Sequence, residues 1–131
     1  LVLSAILGMA VGLEREMRHK PAGLRTHTFV CMGACLFAVI SISFVSNPQA
    51  IAASIVIGAG FLGAGTIFHA RDKLIGLTTA TEIWVLAAVG LAIGIGYYAI
   101  GIITTVIILS ILILGRNFES NALKKDKRRI D

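Results

Sequence analysis

Residues 77–114 read LTTATEIWVLAAVGLAIGIGYYAIGIITTVIILSILIL, and this stretch decides the fold. Its 38 residues contain a single charged side chain, Glu82. A membrane-spanning helix needs about 20 apolar residues to cross about 30 Å of hydrocarbon. The stretch is too long for one span. It predicts two helices joined by a bend at Gly94-Ile95-Gly96-Tyr97-Tyr98.

Three further apolar stretches precede it, at residues 1–13, 28–45 and 51–68. The last two each supply a span, whereas the first is short and begins without Met, so we expect that helix to extend upstream. The mean hydropathy of +0.88 is higher than the hydrophobic core of a soluble domain requires. The spans lack the alternating pattern of barrel strands. We therefore predict an all-α integral membrane protein: five transmembrane helices in one domain, residues 1–115, followed by a basic cytoplasmic tail, residues 116–131.

The distribution of charge predicts the orientation. All twelve Lys and Arg lie in residues 14–27, 69–75 and 116–131, and the turns on the other side carry none. Basic residues in short loops stay on the cytoplasmic side during insertion. We expect a multi-pass protein of a bacterial or archaeal plasma membrane, with the N-terminus outside and the C-terminus cytoplasmic. The net charge of +5 is thus explained by this topology. We expect the lipid bilayer as a partner, and we do not expect nucleic acid.

The chain carries a pattern typical of an internal repeat. A shift of 53 residues superposes Gly23-Leu24-Arg25-Thr26 on Gly76-Leu77-Thr78-Thr79 in three of four positions, and Gly12 on Gly65. Two helix hairpins related by an axis along the membrane normal would produce it, with the fifth helix outside the repeat. The alternative is coincidence, because apolar sequences match themselves easily.

Gly58, Gly60, Gly63 and Gly65 form the densest run of small residues. In a bilayer such residues let helices approach closely, so the run predicts helix packing. The alternative is a broken helix that faces a cavity. The match to Gly-x-Gly-x-x-Gly is rejected as a dinucleotide site because no strand precedes it. Short spans with several small-residue faces also predict a homo-oligomer, with a homodimer favoured.

Glu82 is the one charge inside a span, which makes it a candidate for function. Three interpretations stay open. Thr79-x-x-Glu82 matches a capping box, in which Glu82 bonds back to the start of the helix. Glu82 can instead belong to an ion or proton site, or pair with Arg25 or another basic residue of the loops.

Most other polar groups cluster at the predicted cytoplasmic helix ends. Paired helix amino ends can hold an anion. Alternatively, Glu14, Glu16 and Asp72 can hold Mg²⁺, or the groups form only a salt-bridged and capped surface. No metal and no cofactor is assigned. The candidate functional centre comprises Glu14, Arg15, Glu16, Arg25, Thr26, Thr78, Thr79 and Glu82.

No catalytic constellation is visible, so an enzyme is not predicted. Ser4, Ser41 and Ser43 have no base nearby in sequence, and the three His lack the spacing of a zinc pair. Cys31 and Cys35, one helical turn apart, are expected to be reduced packing residues.

Four motifs follow one another along the chain: Gly12-Leu13-Glu14-Arg15-Glu16, Ala22-Gly23-Leu24-Arg25-Thr26-His27, Gly60-Phe61-Leu62-Gly63-Ala64-Gly65-Thr66-Ile67 and Gly76-Leu77-Thr78-Thr79-Ala80-Thr81-Glu82-Ile83-Trp84. Over residues 8–114 the chain resembles the MgtC/SapB family of bacterial inner-membrane proteins in these motifs. The resemblance implies five transmembrane helices, a link to magnesium limitation and, in pathogens, to survival inside macrophages.

The resemblance implies a non-enzymatic regulator of a partner membrane protein, such as the proton-translocating ATP synthase. The alternative is an ion transporter or channel that uses the glycine-rich third helix and Glu82. At Glu82 the chain departs from the family, which has a small or hydroxyl residue there. Sixteen residues follow Gly115, so the resemblance covers the membrane domain and not the cytoplasmic domain of many members.

Overall fold

The computed structural model describes residues 1–44, 48–70 and 73–127. This part of the chain forms five helices, as predicted, and one short β-hairpin between the third and the fourth. In the hairpin, β1 pairs antiparallel with β2, and Phe68 lies opposite Ile75. The elements are α1 (Val2–Met17), α2 (Leu24–Phe44), α3 (Pro48–Ala64), β1 (Phe68–Ala70), β2 (Lys73–Ile75), α4 (Leu77–Gly94) and α5 (Tyr98–Lys127).

Within the described residues, three helices are long and apolar enough to cross a membrane. They are α2, α4 and α5, through Leu24–Ser43, Leu77–Gly94 and Tyr98–Gly115. The break that the sequence predicts between α4 and α5 is confirmed. α4 ends at Gly94, and Gly96 takes a φ of 94°, a backbone conformation that glycine adopts without steric cost.

Helix ends differ from the expectation at two places. The span expected over residues 51–68 ends at Ala64, because the chain turns there: the Thr66 hydroxyl donates to the Gly63 carbonyl at 2.8 Å. Phe68 then lies in β1. At the other end of the chain, α5 continues to Lys127, past the expected boundary at residue 115. Residues 116–127 contain no Gly or Pro to stop a helix.

α2 is the central helix, in contact with α1, α3 and α4, while α5 packs on α4. The core between these helices is aliphatic and includes Val11, Leu86 and Val89. Cys31 belongs to this core, and Cys35 is buried one turn further along α2, so both are packing residues. Large apolar side chains are exposed on the outside of all five helices, as contact with lipid requires.

The two hairpins expected from the repeat, α1–α2 and α3–α4, are each formed by neighbouring helices. Their connections differ. A turn joins α1 to α2, whereas a β-hairpin precedes α4, and only Gly76 of the two superposed glycines has a positive φ, 93°. Duplication of an ancestral hairpin remains a prediction.

Candidate functional site

Glycines on α1 and α4 bring three helices into close contact. A Cβ at Gly8 would lie 2.8 Å from the His27 carbonyl oxygen, and one at Gly12 would lie 2.8 Å from Leu24 Cα. Further along α2, a Cβ at Gly94 would lie 2.6 Å from the Cys35 carbonyl oxygen. Because only hydrogen fits at these positions, α1 and α4 both pack backbone-to-backbone against α2. The last turn of α1, the first turn of α2 and the second turn of α4 therefore meet.

A buried ion pair lies at this meeting point. Nε of Arg15 lies 2.9 Å from Oε2 of Glu82, and the two side chains are only 5% and 7% exposed. Neither Nε of Arg15 nor either carboxylate oxygen of Glu82 has a hydrogen-bond partner among the described residues. The distance makes the contact an ion pair, but the N–H does not point at the oxygen. The two charges therefore neutralise each other by proximity, without a directional bond.

Arg15 is shared between two carboxylates. Its Nη1 donates to Oε2 of Glu14 at 3.3 Å, and the other Glu14 oxygen binds Nε of Arg18 one turn further along α1. Glu14 is 10% exposed and Arg18 is 26% exposed, so this row of charged side chains extends from the protein interior towards the surface. The four charges of Glu14, Arg15, Arg18 and Glu82 sum to zero.

His27, which lies next to Glu82, is fully buried. Its Nδ1 lies 2.9 Å from the Gly23 carbonyl oxygen, and its Nε2 lies 3.8 Å from Oε2 of Glu82. A carbonyl oxygen only accepts, so Nδ1 carries a proton and donates it to Gly23. Nε2 then faces the carboxylate. We call Glu14, Arg15, His27 and Glu82 the charged cluster.

The structure separates the residues of the predicted functional centre into a buried group and an exposed group. Arg15, Thr79 and Glu82 are buried, and Glu14 lies beside them. The other predicted residues lie outside this group on the exposed surface: Glu16, Arg25, Thr26 and Thr78. Glu16 is engaged at the start of α2, where its Oε2 accepts from the backbone N–H of Leu24 at 2.7 Å.

The capping-box interpretation of Glu82 is wrong. The cap residue of α4 is Gly76, so Thr79 already lies inside the helix and its side chain makes no cap bond. Glu82 consequently sits too far along the helix to return to the start, and it pairs with Arg15. Of the three interpretations left open by the sequence, pairing with a basic residue of the loop region describes this geometry, although the partner is Arg15 and not Arg25.

The glycine run of α3 is also divided. A Cβ at Gly63 would lie 2.9 Å from the Ala80 carbonyl oxygen, so Gly63 packs α3 against α4. A Cβ at Gly65 would meet only carbonyl oxygens from the end of α3, the nearer being that of Leu62 at 3.3 Å. Gly58 and Gly60 meet nothing within 4 Å. Packing at these two positions does not occur within the described chain, since the closest helix contacts are made by glycines of α1 and α4 instead.

No group of three His, Cys, Asp or Glu side chains that can hold a metal ion exists among the described residues. The carboxylate of Glu14 binds the guanidinium groups of Arg15 and Arg18, and that of Glu16 accepts from the backbone N–H of Leu24. Asp72, the third carboxylate considered for Mg²⁺, lies outside the described residues. The described part of the chain therefore supplies a charge-paired and capped arrangement at these helix ends.

His27 is the residue that sequence reasoning missed. It was weighed only as a zinc ligand, for which its spacing is wrong. A signal was present, because a histidine one turn inside an apolar helix must find a polar partner when it is buried. Its closeness to Glu82 was not predictable, since the two lie 55 positions apart and meet only through packing of α2 on α4.

An apolar groove of about 360 Å³ lies between α2 and α3, away from the charged cluster. Gly33 and Gly58 lie in its walls with Phe29 and Phe37. It contains no charged side chain, which distinguishes it from the buried charges at the ends of α1, α2 and α4.

Comparison with known proteins places the chain in a family. The model of the MgtC family matches residues 1–121. The chain is 45% identical over 122 residues to "Putative magnesium transporter YhiD" of Escherichia coli K12, which covers 86% of this chain and 57% of that protein. It is 45% identical over 108 residues to "Protein MgtC" of Brucella abortus, covering 81% and 45%.

A third relative is "Protein SapB" of Bacillus subtilis, 37% identical over 109 residues, covering 75% of this chain and 47% of that protein. The chain thus spans about half the length of the curated relatives it matches. No solved structure matches it. The family match over nearly the whole chain, together with three helices long and apolar enough to span a bilayer, makes this a membrane protein. The chain belongs to the MgtC family.

Proposed function

We propose that this protein is a non-enzymatic regulator in a bacterial plasma membrane. It binds another membrane protein, such as the proton-translocating ATP synthase, and supports growth when magnesium is scarce. Family membership supports the link to magnesium, since one relative bears the name of a magnesium transporter. The choice of regulation over transport comes from the interior of the helix bundle.

The observation that supports this choice is a group of buried aliphatic side chains beside the charged cluster. Val11, Ile83, Leu86 and Val89 are each 0–1% exposed and pack between α1, α2 and α4. An ion that crosses a membrane protein needs polar groups or water along its route. Thr105, buried on α5, donates to the carbonyl of Gly101 in its own helix. Ser4, buried on α1, donates to the carbonyl of Leu1 at the start of the same helix. The aliphatic packing next to the charged cluster therefore supports a binding role.

The exposed residues at the same helix ends supply a surface for a partner. Arg25, Thr26 and Thr78 are exposed beside the buried Arg15–Glu82 pair, and none of them is needed to hold the helices together. A partner that contacts them would recognise a rigid polar surface, because the ion pair beneath fixes the relative positions of α1 and α4.

Reconstitution of the purified protein and complementation of a deletion strain together test this proposal. The protein is purified and reconstituted alone into proteoliposomes that contain a magnesium-sensitive dye, and the same gene is returned to a strain from which it was deleted. We expect growth at low magnesium to be restored and a stoichiometric membrane protein to co-purify from those cells. Magnesium entry into the proteoliposomes should not exceed that into empty liposomes. Entry that disappears with Glu82→Gln, at equal reconstitution, would contradict regulation.

An ion transporter or channel is the second candidate function. The favouring observation is that Glu82 is a buried carboxylate with no hydrogen bond to either oxygen, a costly state that proteins in membranes keep for ion or proton handling. In this case the route would pass along the glycine-rich α3, where Gly58 and Gly60 lie open. The proteoliposome measurement separates the two candidates, because a transporter moves magnesium without any partner.

A further inference from the structure

Two hydrogen-bond acceptors face each other inside the charged cluster. The Nδ1–H of His27 is fixed on the Gly23 carbonyl oxygen, so Nε2 of the neutral ring has only a lone pair. That lone pair lies 3.8 Å from Oε2 of Glu82, which as a carboxylate also only accepts. Nε2 and both Glu82 oxygens are shielded from solvent and have no hydrogen-bond partner among the described residues. The arrangement therefore lacks a donor.

The surrounding charged groups do not supply one. On α1, Arg15 directs Nη1 to Glu14, and its Nε lies near Oε2 of Glu82 without a hydrogen bond. Glu14 itself is held by Arg15 and Arg18. On α2, the nearest titratable side chain is Cys31, buried one turn beyond His27. α3, and α5 between Tyr98 and Gly115, contain no Asp, Glu, Lys, Arg or His.

We propose that Nε2 of His27 and Oε2 of Glu82 together form a binding site for one proton. The proton comes from water and raises the net charge of Glu14, Arg15, Arg18, His27 and Glu82 from zero to +1. It converts two opposed acceptors into a donor and an acceptor, whichever atom carries it. The hydrogen bond that forms gives a partner to two buried groups that have none in the unprotonated state, which is the physical reason for a proton to bind there. The inference is independent of the proposed function, because it concerns only α1, α2 and α4.

Nuclear magnetic resonance of ¹⁵N-labelled histidine detects the proton directly. The chain has three histidines, so a His19→Asn, His69→Gln variant leaves His27 as the single signal. Asn suits position 19 because that residue has a φ of 54°, a region that Asn tolerates well. Spectra of this variant in lipid nanodiscs, between about pH 5 and about pH 9, cover the range in which histidine changes charge. Infrared spectra over the same range report a protonated carboxyl group.

We expect Nδ1 to stay protonated throughout, in accord with its bond to Gly23. At the acidic end we expect either a proton coupled to Nε2 or a protonated-carboxyl band that Glu82→Gln removes. The Glu82→Gln amide provides a permanent donor to Nε2, so in that variant the proton-dependent change at Nε2 should be lost. His27→Gln, which also places an amide there, should abolish the proton-dependent infrared change.

An unprotonated Nε2 at every pH, with no carboxyl band that depends on Glu82, would overturn the proposal. The parent spectra decide the state of Nε2, and comparison with Glu82→Gln assigns any carboxyl band. A parent with neither signal contradicts the proposal whether or not the variant folds. Proton binding that persists while magnesium entry and partner binding are both absent would leave this inference intact and count only against the proposed function.

Discussion

Oε2 of Glu16 lies 2.7 Å from the backbone nitrogen of Leu24, so the last turn of α1 supplies the cap for the first turn of α2. Unpaired N–H groups at a helix start are commonly satisfied by a nearby side chain of the same segment. Here the cap comes from the preceding helix, eight residues earlier. Gly23 makes it possible, because a Cβ at that position would collide with the Glu16 carboxylate.

Glu16→Ala should lower the free energy of unfolding by about 1 kcal/mol, the usual cost of losing a cap. Glu16→Gln keeps an oxygen that accepts from Leu24 and should cost less. Reversible unfolding in mixed detergent micelles measures both. Equal stability of the two variants would mean that the cap contributes nothing.

The Arg15–Glu82 pair should be the most sensitive side-chain contact of the bundle. Arg15→Met leaves Glu82 buried without its counter-ion, whereas Glu82→Leu leaves Arg15 with Glu14 as a counter-ion. Arg15→Met is expected to cost about 3–5 kcal/mol, as for other buried pairs broken from one side, and Glu82→Leu should cost less. The double variant removes both charges and should recover most of the loss. A double-mutant cycle measures the recovery, and additive losses would show that the charges do not interact.

Arg25→Ala should abolish support of growth at low magnesium while membrane abundance stays near normal. The physical reason is its exposure: no described helix depends on Arg25, so the change removes a contact with a partner and not a contact within the fold. Lys20→Ala, an equally exposed loss of charge nearby, is the control and should be harmless. Growth and quantitative immunoblotting of membranes report the two effects. Full growth with Arg25→Ala would remove this residue from the proposed partner surface.

Gly94→Ala should destabilise the protein by about 1–3 kcal/mol, because the added methyl meets the Cys35 carbonyl oxygen in a close-packed contact. Gly33→Ala is the matched control. A Cβ there meets nothing within 4 Å, so the same chemical change on α2 should be near neutral. Unfolding of the two variants under identical conditions gives the comparison. Equal stability of the two variants would contradict a close contact at Gly94, since Gly→Ala alone favours the helix at both positions.

A homodimer is expected in the membrane. Gly58 and Gly60 lie open on α3, although small residues in bilayer helices commonly mark helix contacts. Gly58→Phe with Gly60→Phe should dissociate the dimer, and Ile103→Phe on the exposed side of α5 should not. Native mass spectrometry in mild detergent over a range of concentrations measures the subunit number. A monomer at every concentration would contradict the expectation.

The helices could be predicted because their signals are local. The length of residues 77–114 and the glycines at 94 and 96 suffice to predict the break between α4 and α5. The end of α3 and the start of α4 were less accessible, since both depend on the turn and hairpin between Gly63 and Gly76. The charges at residues 69–75 mark the connection, but they do not show where the helices on either side of it end.

The charged cluster was only half predictable. Arg15 and Glu82 were selected separately, because charges near or within a span are expensive. Their mutual contact, and the position of His27 between α2 and α4, follow from glycine contacts that act over large sequence separations. The densest glycine run lies on α3, whereas the closest backbone approaches between helices occur at Gly90 and Gly94 of α4, followed by Gly8 and Gly12 of α1.

The glycine contacts that α1 and α4 make with α2 have a mechanical consequence. Carbonyl groups and Cα atoms of α2 touch the backbones of α1 and α4 with no side chain between them that can adapt. Sliding or rotation of α2 would therefore have to carry both neighbours along. We expect α1, α2 and α4 to move as one rigid body, so that any change of shape in the membrane consists of α3 pivoting at its tight contact between Gly63 and Ala80.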